Sequence, residues 1–426
     1  MTSRTTRLVV VGLLLVSLLF RSPLLFFLDV LLALVAGASA LWGRYCLAGV
    51  TYLRRFGAPR LFCGEETDLW LEITNAKPLP LPWLKTEDEF PVQFTVHQQE
   101  LAHAGKTNRR LLNTFLSLRW YERVRRHYRI TARHRGVFEF GPLLISSGDL
   151  FGFRIRNQTV EHTQALTVYP RLLPLTAEPL AAARPLGDFK TARRVLEDPL
   201  RLAGAREYRP GDSLRHVHWK ATARRAALQT KVFDPSAARQ LLIGVNAQTM
   251  ERAHQGVVSD VFELTAVVAA AVAHAGLQSG LAVGLFTNGG VRESPGRVRL
   301  PAARRPDQLT RILETLAQLT YFTLMPFEKL LQLEASQLPF GATIIAISPL
   351  ASEPILSGLL DLRAGGHPVA LIAVGRAAPP APPELPVYAV EGDWRTMEHI
   401  SLATGDRPLT ADAVVRPGWP AAAAPA

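Results

Sequence analysis

Cysteines and catalytic motifs are scarce in this chain. Of its 426 residues only two are cysteines, Cys46 and Cys63. Two cysteines cannot build the disulfide framework of a small secreted domain, so nothing in the composition requires an oxidising compartment. The sequence also lacks the G-x-S-x-G, H-E-x-x-H, C-x-x-C and Walker-type phosphate-binding motifs. These absences remove common hydrolase, zinc-protease, thiol-redox and nucleotide-binding classes, and we expect the chain not to be an enzyme.

Acidic residues are outnumbered by basic ones. The chain has 36 Asp and Glu against 48 Lys and Arg, a formal net charge of +12. An excess of this size attracts anionic partners such as lipid headgroups or nucleic acid. The aromatic residues are not interleaved with the basic ones as a base-stacking platform requires, so we expect no specific nucleic-acid ligand.

Polar residues are almost missing between residues 8 and 42. The main interruptions of this apolar tract are Arg21-Ser22-Pro23 and Asp29. A membrane-spanning helix needs about 17 to 25 mostly apolar residues, which residues 24–42 provide. We therefore predict a transmembrane helical hairpin over residues 1–45, with Arg21-Ser22-Pro23 as its turn.

Positive charge flanks this tract on both sides, which favours both ends in the cytoplasm. The flanking residues are Arg4, Arg7, Arg44, Arg54, Arg55 and Arg60. We thus expect a multi-pass membrane protein whose other domains face the cytoplasm. The alternative is a cleaved secretory signal, because Ala38-Ser39-Ala40 resembles a cleavage site. The apolar region of a signal runs only about 7–15 residues, however, and this tract is longer.

Short strands separated by turn residues dominate residues 57–175. Residues 68–74 alternate, which places Leu69, Leu71 and Ile73 on one face. Residues 123–133 also alternate. Their apolar face has Val124, Tyr128, Ile130 and Ala132, and the opposite face has Arg125, His127, Arg129, Thr131 and Arg133. We predict an all-β, sandwich-like domain, whose basic strand face could lie on anionic lipid headgroups.

Strands alternate with helices from residue 237 onward, which indicates an α/β doubly wound domain over 237–405. We predict strands at 241–245, 281–286, 343–347, 369–374 and 387–390, and helices at 259–277, 307–319 and 353–364. An edge hairpin should join Val291 to residues 298–300. Residues 406–426 are of low complexity, and we predict a flexible tail there.

The segment 204–235 concentrates charge more than any other. Its charged residues are Arg206, Glu207, Arg209, Asp212, Arg215, Lys220, Arg224, Arg225, Lys231 and Asp234. The segment contains R-E-Y-x-x-G-D and then L-R-x-x-x-W-K-A-T-A-R. This pattern resembles the signature of the bacterial family called domain of unknown function 58. We therefore treat residues 195–236 as a signature segment at the junction between domains.

A second pair of motifs strengthens this resemblance. Arg135-Gly136 and Gly141-Pro142 fit the family's R-G-x-Y/F-x-x-G-P pattern, and Asp149-Leu150-Phe151-Gly152 fits its D-P-F-G. Leu150 replaces the family's proline. The glycines and aromatic residues of these motifs are also what a purely structural role would require.

The family resemblance implies a von Willebrand factor A-like fold for residues 237–405. Such domains bind a divalent ion through D-x-S-x-S after the first strand. Asn246, Gln248 and Met250 stand at the corresponding positions, and a methionine cannot serve a magnesium site. We expect no metal and no cofactor, although the carbonyl oxygens of Asn246 and Gln248 leave a weak site open.

The ends of the parallel strands should form a rim, because open α/β sheets bind ligands beyond the carboxyl edges of their strands. We expect Asn246, Thr287, Asn288 and Ser348 on this rim. A rim without a metal suits a protein partner. The alternative is that these residues only terminate strands.

The signature segment has two structural interpretations. As a docking face it would present Arg206, Glu207, Tyr208, Gly211, Asp212, Arg215, Trp219, Lys220 and Arg224. As a buried junction it would place Tyr208 and Trp219 in apolar space and pair Glu207 and Asp212 with arginines. In that case Asp212 would cap a helix starting at Ser213, with Leu214, Val217 and Ala221 inward.

A catalytic interpretation would use the acids, histidines and lysine of the same segment. These are Glu207, Asp212, His216, His218 and Lys220. Their spacing matches no known nucleophile or metal geometry. Histidines in so basic a run are more often surface or hydrogen-bonded structural residues.

We expect the chain to be a membrane-anchored scaffold or adaptor in the bacterial cytoplasmic membrane. The resemblance implies a MoxR-type AAA+ ATPase and a transglutaminase-like membrane protein as partners, in the assembly or remodelling of a protein complex. Membrane lipid is a further expected partner. The alternatives are a protein that binds anionic lipid or nucleic acid and, third, a hydrolase.

Overall fold

The fold was analysed in a computed structural model. It describes residues 23–150, 154–176, 202–209, 215, 217–233, 240–251, 256–292, 296–339, 341–375 and 384–404, with Gly12 and Leu19. The chain divides into two compact units, residues 1–169 and 170–426. An N-terminal apolar helix and a β-rich region make up the first unit, and an α/β region makes up most of the second. The predicted first half of the hairpin and the predicted tail lie outside the described residues, apart from Gly12 and Leu19.

The first unit begins with helix α1 (Pro23–Tyr45), which is 23 residues long. At 1.5 Å per residue it extends ~34 Å, enough to cross a ~30 Å hydrocarbon core. Its apolar side chains are largely exposed, with Leu24 at 77% and Phe27 at 71%. The helix is therefore a candidate membrane span.

The β-rich region of the first unit forms three sheets. Its strands are β1 (Val50–Phe56), β2 (Arg60–Phe62), β3 (Glu66–Asn75), β4 (Leu81–Pro91), β5 (Phe94–Val96), β6 (Ala102–His103), β7 (Arg109–Leu118), β8 (Arg123–Ala132), β9 (Gly136–Phe140), β10 (Leu143–Gly148), β11 (Ile155–Val160) and β12 (Gln164–Tyr169). The sheet orders are β1-β3-β8-β5, β11-β10-β4-β7-β6 and β2-β12-β9. One apolar cluster contains side chains of the first two sheets, including Ile73 and Leu116. These two sheets therefore share a core, as in a sandwich.

The predicted faces of β3 and β8 are confirmed. Leu69, Leu71 and Ile73 are each at most 1% exposed, and Ile130 and Ala132 are fully buried. Successive side chains of a strand point to opposite faces, so every second residue of each strand faces the core. The alternation of apolar and polar residues in the sequence was therefore sufficient to predict which face of each strand is buried.

Acidic residues of β3 lie opposite the basic face of β8. Arg125 Nε donates to Glu72 Oε2 at 2.8 Å, and His127 Nε2 lies 2.8 Å from Asp68 Oδ1. Exposed cross-strand pairs of this kind contribute ~0.2–1 kcal/mol each. The charge that this face would offer to lipid headgroups is therefore partly neutralised within the sheet.

A buried ion pair lies in the core of the β-rich region. Arg54 Nε donates to Asp88 Oδ2 at 3.0 Å, and Arg54 Nη2 donates to Asp88 Oδ1. The Tyr52 hydroxyl donates to Asp88 Oδ2 at 2.7 Å, and the guanidinium lies 5.9 Å from the centroid of the Phe140 ring. Arg54 and Asp88 are 2% and 1% exposed. Sequence reasoning places Arg54 among the charges beside the membrane, but the structure uses it inside the domain.

Burial shifts two groups of this cluster. It raises the pKa of the Asp88 carboxyl, and the Arg54 guanidinium opposes that shift. It also raises the pKa of the Tyr52 hydroxyl, helped by the nearby Asp88 carboxylate. Tyr52 therefore stays protonated and can donate its hydrogen bond.

The described part of the second unit combines three two-stranded sheets with one seven-stranded sheet. Its strands are β13 (Leu175–Thr176), β14 (Leu202–Glu207), β15 (Gln229–Phe233), β16 (Gln240–Val245), β17 (Ala282–Thr287), β18 (Gly289–Val291), β19 (Val298–Ala303), β20 (Leu319–Thr323), β21 (Thr343–Ser348), β22 (Val369–Val374), β23 (Val387–Val390), β24 (Ile400–Ser401) and β25 (Ala403–Thr404). Its helices are α2 (Trp219–Arg225), α3 (Ser259–Gln278), α4 (Gln308–Gln318), α5 (Phe327–Ala335) and α6 (Glu353–Ala364).

The large sheet has the order β19-β17-β16-β21-β22-β23-β25. Strands β17, β16, β21, β22 and β23 are parallel, and β19 and β25 are antiparallel edges. The chain order of the parallel strands reverses between β16 and β21, which is the switch point where open α/β sheets bind ligands. Helix α3 is apolar enough to span a membrane, but it is mostly buried, as expected of a core helix.

Most predicted elements of this region are confirmed, but the edge hairpin is wrong. Val291 belongs to β18, which pairs with β20 rather than with β19. Strand β19 pairs directly with β17. Strand β20 and helix α5 had no counterpart in the sequence prediction.

Replacing Asp88 by alanine would leave the buried Arg54 guanidinium without its partner. We expect the free energy of unfolding to fall by ~3–5 kcal/mol. Thermal unfolding of the purified full-length protein in detergent, followed by circular dichroism, measures this loss.

The matched control is Lys106→Ala. Lys106 is exposed and lies 2.7 Å from Glu89 Oε1, so its loss should cost at most ~1 kcal/mol. Equal destabilisation by the two substitutions would contradict a dominant role for the buried pair.

Candidate functional site

The signature segment is built on the antiparallel pair β14 and β15. Glu207 lies opposite Gln229, and Tyr208 N donates to Leu228 O at 2.9 Å. Helix α2 lies between the two strands in sequence, and Val217 bridges to Thr230 just before it. The segment is therefore a strand-helix-strand module separate from the large sheet.

His218 caps helix α2. Its Nδ1 accepts a hydrogen bond from Ala221 N at 3.2 Å, and its own backbone N donates to Gln229 O at 2.8 Å. The predicted helix start at Ser213 lies outside the described residues. The described helix α2 begins at Trp219, and Val217, predicted to face inward on the earlier helix, pairs as a β-bridge instead. His218 thus has a structural role, as expected for a histidine in a basic run.

Most described side chains of the signature face solvent. Arg206, Glu207, Arg215, Lys220 and Arg224 are all exposed, and Tyr208 is half-buried.

Trp219 is 71% exposed. The buried-junction interpretation is therefore wrong in placing Trp219 in apolar space and Glu207 among buried acids. Gly211 and Asp212 lie outside the described residues.

The inner side of the module is buried. Val217, Gln229 and Thr230 are 2%, 1% and 4% exposed. Gln229 N donates to Thr222 Oγ1 at 3.0 Å, which ties β15 to α2. The module is therefore held together on one side and open on the other, where its basic residues and Trp219 are available for contact.

The predicted strand-end residues meet at the switch point. Asn246 Nδ2 donates to Ser348 Oγ at 2.9 Å across β16 and β21, and Asn288 Nδ2 donates to Asn246 Oδ1 at 2.9 Å. Thr287 Oγ1 accepts from Gly289 N at 3.1 Å. The sequence placed these four residues at one edge, and the hydrogen bonds join three of them.

These strand-end side chains are buried, at 0–1% exposure. Asn246 Oδ1 also accepts from Gln248 N at 3.0 Å, and Asn288 Oδ1 accepts from Ala247 N at 2.8 Å. Ser348 Oγ donates to Leu350 O. Such a satisfied network fixes the loops after the strands, and whether the rim itself contacts a partner stays a prediction.

The D-x-S-x-S positions contribute to the same network. The Gln248 side chain donates to Met250 O at 2.8 Å and to Glu251 O at 3.0 Å. The amide groups of Asn246 and Gln248 thus bond protein atoms. Within the described ranges, no group of three or more His, Cys, Asp or Glu side chains is placed to hold a metal ion.

An exposed aromatic patch beside this network was missed by sequence reasoning. We define the β20 patch as Tyr321, Phe322 and Leu324, which are 49%, 68% and 47% exposed. The Tyr321 ring lies 6.5 Å from Phe262 and 4.7 Å from Phe322. A run of large apolar residues directly after helix α4 was the available signal.

Backbone contacts attach the β20 patch to the strand ends. Leu324 N donates to Asn288 O at 2.8 Å, and Asn288 Nδ2 lies 3.3 Å from Met325 O. A Cβ added at Gly289 would lie 2.7–2.8 Å from atoms of Ala247, Leu319 and Thr320. A glycine is therefore needed for β18 to pack this closely against β20.

In the first unit, Asp149 of the D-L-F-G motif connects helix α1 to the β-rich region; Phe151 and Gly152 lie outside the described residues. Ser39 Oγ donates to Asp149 Oδ2 at 2.8 Å, and Trp83 Nε1 donates to Asp149 O at 3.2 Å. Asp149 Oδ1 accepts from Arg154 N, and a Cβ on Gly43 would lie 2.9 Å from Arg154 Cβ. The helix and the loop after β10 are therefore in close contact.

Cys46 and Leu47 follow α1 directly and belong to the apolar core of the β-rich region. Burial raises the pKa of the Cys46 thiol, so the thiolate is disfavoured. Cys46 is therefore a packing residue. The apolar helix and the β-rich region are joined by a shared core.

The fold and these sites describe a multidomain protein with an N-terminal apolar helix, a β-rich unit and an α/β unit. Residues 204–334 match the family model described as Protein of unknown function DUF58. The "Uncharacterized protein YeaD" of Bacillus subtilis (strain 168) is 26% identical over 271 residues, 63% of each chain. The match thus spans less than two thirds of that relative. The family resemblance is confirmed for residues 204–334.

Two solved structures share a distant similarity with part of this chain. The crystal structure of the CARDB domain of a Pyrococcus furiosus protein is 10% identical and covers 28% of this chain and 91% of its own, with a TM-score of 0.19. A cohesin module from a Clostridium perfringens family 33 glycoside hydrolase is 10% identical and covers 28% and 95%, with a TM-score of 0.19. Scores of this size do not indicate a shared overall fold.

Replacing Asn246 by aspartate would place a second acceptor against Ser348 Oγ and bury a charge. We expect a loss of ~1–3 kcal/mol in the free energy of unfolding. Because Met250 offers no oxygen side chain, added Mg²⁺ should not restore stability. Thermal unfolding with and without Mg²⁺ measures both effects, and a magnesium-dependent rise would reveal a latent metal site.

Proposed function

We propose that this protein is a membrane-anchored adaptor whose α/β unit, of von Willebrand factor A type, docks a protein partner. The observation that carries the proposal is the exposed β20 patch beside the strand-end network. Large exposed aromatic side chains are frequent energetic centres of protein interfaces. The signature module offers a second contact surface, with Trp219 among exposed basic residues.

The β20 patch is suited to docking because it is held in place before binding. Tyr321 is packed against Phe262, and the backbone of Leu324 is bonded to Asn288. A preorganised aromatic surface loses little conformational entropy on association. The satisfied network of Asn246, Asn288 and Ser348 would serve as the support of this surface.

The proposed partner is a MoxR-type AAA+ ATPase, with a transglutaminase-like membrane protein as a further member of the assembly. The family resemblance suggests both. Such an ATPase would use the adaptor to engage or remodel a membrane-associated complex. The adaptor itself would need no catalytic group, which agrees with the structural role of His218.

The proposed location is the bacterial cytoplasmic membrane, with both units in the cytoplasm. Helix α1 supports a span, because it is long and apolar and its side chains are largely exposed. A second span over residues 8–20 would complete the hairpin. The arginines on both flanks favour this orientation.

Phe322→Glu tests the docking surface. A charge at the centre of the patch should weaken capture of the purified ATPase by the detergent-solubilised protein at least ~10-fold, equivalent to ~1.4 kcal/mol. The control is Leu333→Glu on α5, because Leu333 is 41% exposed but outside the patch. Equal binding by both variants and the wild type would remove the patch from the proposal.

Binding to anionic lipid or nucleic acid is the second candidate function. It is favoured by Trp219, which is 71% exposed beside the exposed Lys220, Arg224 and Arg225. Among the described residues, no carboxylate forms a salt bridge with these three cations. An exposed tryptophan beside exposed cations can contact both the phosphates and the bases or lipid of a ligand.

The double substitution Lys220→Gln and Arg224→Gln tests this alternative. If phosphate contacts dominate, the wild type should lose affinity for single-stranded DNA or anionic vesicles as salt rises, and the variant should show a shallower salt dependence. Fluorescence anisotropy and vesicle sedimentation measure these affinities. Salt-independent or undetectable binding by the wild type would dismiss the alternative.

A further inference from the structure

The exposed apolar residues near the end of helix α1 form a distinct surface of the first unit. Leu150, Ile155 and Phe115 are 64%, 62% and 69% exposed. Each of these residues is next in sequence to, or packed on, a residue of the contact between helix α1 and the β-rich region. We call these three residues the interface wedge.

The connections are short. Leu150 follows Asp149, whose carboxylate accepts from Ser39 Oγ at 2.8 Å. Ile155 follows Arg154, whose side chain lies against Gly43.

Phe115 is stacked on Trp83, with ring centroids 6.5 Å apart and planes 6° apart. The indole N–H of Trp83 donates to Asp149 O. All three members of the interface wedge are thus tied to the same region of α1.

The length of α1 sets the depth of this surface. The helix extends ~34 Å and the hydrocarbon core is ~30 Å thick, so only ~4 Å of helix can lie outside the core in total. Ser39 lies six positions before the last helical residue, or ~9 Å along the axis. Even with all the excess length at the C-terminal end, Ser39 remains about 5 Å inside the hydrocarbon edge.

Asp149 must share that depth because it is hydrogen-bonded to Ser39. A domain surface at this level cannot lie in bulk water. The exposed residues of this surface, Leu150, Ile155 and Phe115, are apolar and can therefore lie in the interfacial region of a bilayer.

Tyr45 and Arg44 add the aromatic and basic groups that favour the headgroup level. Tyr45 is 46% exposed, and Arg44 Cζ lies 5.7 Å from the centroid of its ring. The charge and the polarity of this surface therefore also fit a bilayer.

We infer that the interface wedge is inserted at the headgroup–hydrocarbon boundary of the membrane that α1 spans. The β-rich region would then rest on the bilayer in a fixed orientation rather than move freely on a tether. This inference rests on the proposed membrane anchoring. It adds a second, non-helical lipid contact made by three side chains of the folded domain.

The test uses the full-length protein reconstituted in vesicles of phosphatidylethanolamine and phosphatidylglycerol. Leu150→Cys is labelled with an environment-sensitive fluorophore and quenched by lipids spin-labelled near the headgroup. The control is Thr107→Cys, which is exposed and lies beyond the other end of β7 from Phe115. The native cysteines are buried, at 0% and 6% exposure, so labelling of the wild type should be minor.

We expect the label at 150 to be quenched and blue-shifted, and the label at 107 to be unaffected. An unquenched label at 150 in protein that resists alkaline carbonate extraction would overturn the wedge but leave the anchor intact. A blue-shifted but unquenched label would mean that protein covers the surface, which also overturns it. Release of the protein by carbonate would reject the membrane anchoring and the wedge together.

Discussion

The contact between Ser39 and Asp149 is the constraint on which the first unit depends. It joins an apolar helix to a loop of the β-rich region, and Gly43 allows Arg154 to approach the same helix closely. Three residues after Gly43 the chain enters the domain core at Cys46 and Leu47. A helix fixed in this way transmits its position to the whole domain, because no linker separates the two.

Polar interactions are used similarly within each unit. Arg54 and Asp88 form a buried pair that costs desolvation energy but fixes how strands β1 and β4 face each other. In the α/β unit, Asn246, Asn288 and Ser348 join strand ends with neutral hydrogen bonds. Both networks fix the local geometry of the strands that they join.

Sequence reasoning predicted elements well where hydrophobic period and turn residues agree. Strands β16, β21, β22 and β23 are short apolar runs bounded by polar residues, and their positions follow from that pattern. Strand β20 was missed because it begins at Leu319, directly after the last residue of helix α4, and no glycine or proline marks the boundary. The buried-junction interpretation placed Trp219 in apolar space because large aromatic residues are usually buried, but here every residue of its short helix has at least partial exposure.

The strand-end residues were predicted because parallel strands bring their carboxyl ends to one edge. The hydrogen bonds among these residues could not be predicted, because such bonds depend on side-chain directions that one sequence does not reveal. The β20 patch was missed for a related reason, because exposure depends on packing between elements distant in sequence.

The most direct measurement is iodine-catalysed disulfide formation in vesicles by the Ser39→Cys/Asp149→Cys protein, because Ser39 and Asp149 are buried, at 4% and 1% exposure, and iodine is small and crosses membranes. The Ser39 Oγ and Asp149 Oδ2 atoms lie 2.8 Å apart, so we predict rapid intramolecular crosslinking. A Ser39→Cys/Thr107→Cys pair should not react. Failure of the first pair, or equal reaction of both, would contradict the claim that helix α1 is fixed to the β-rich region.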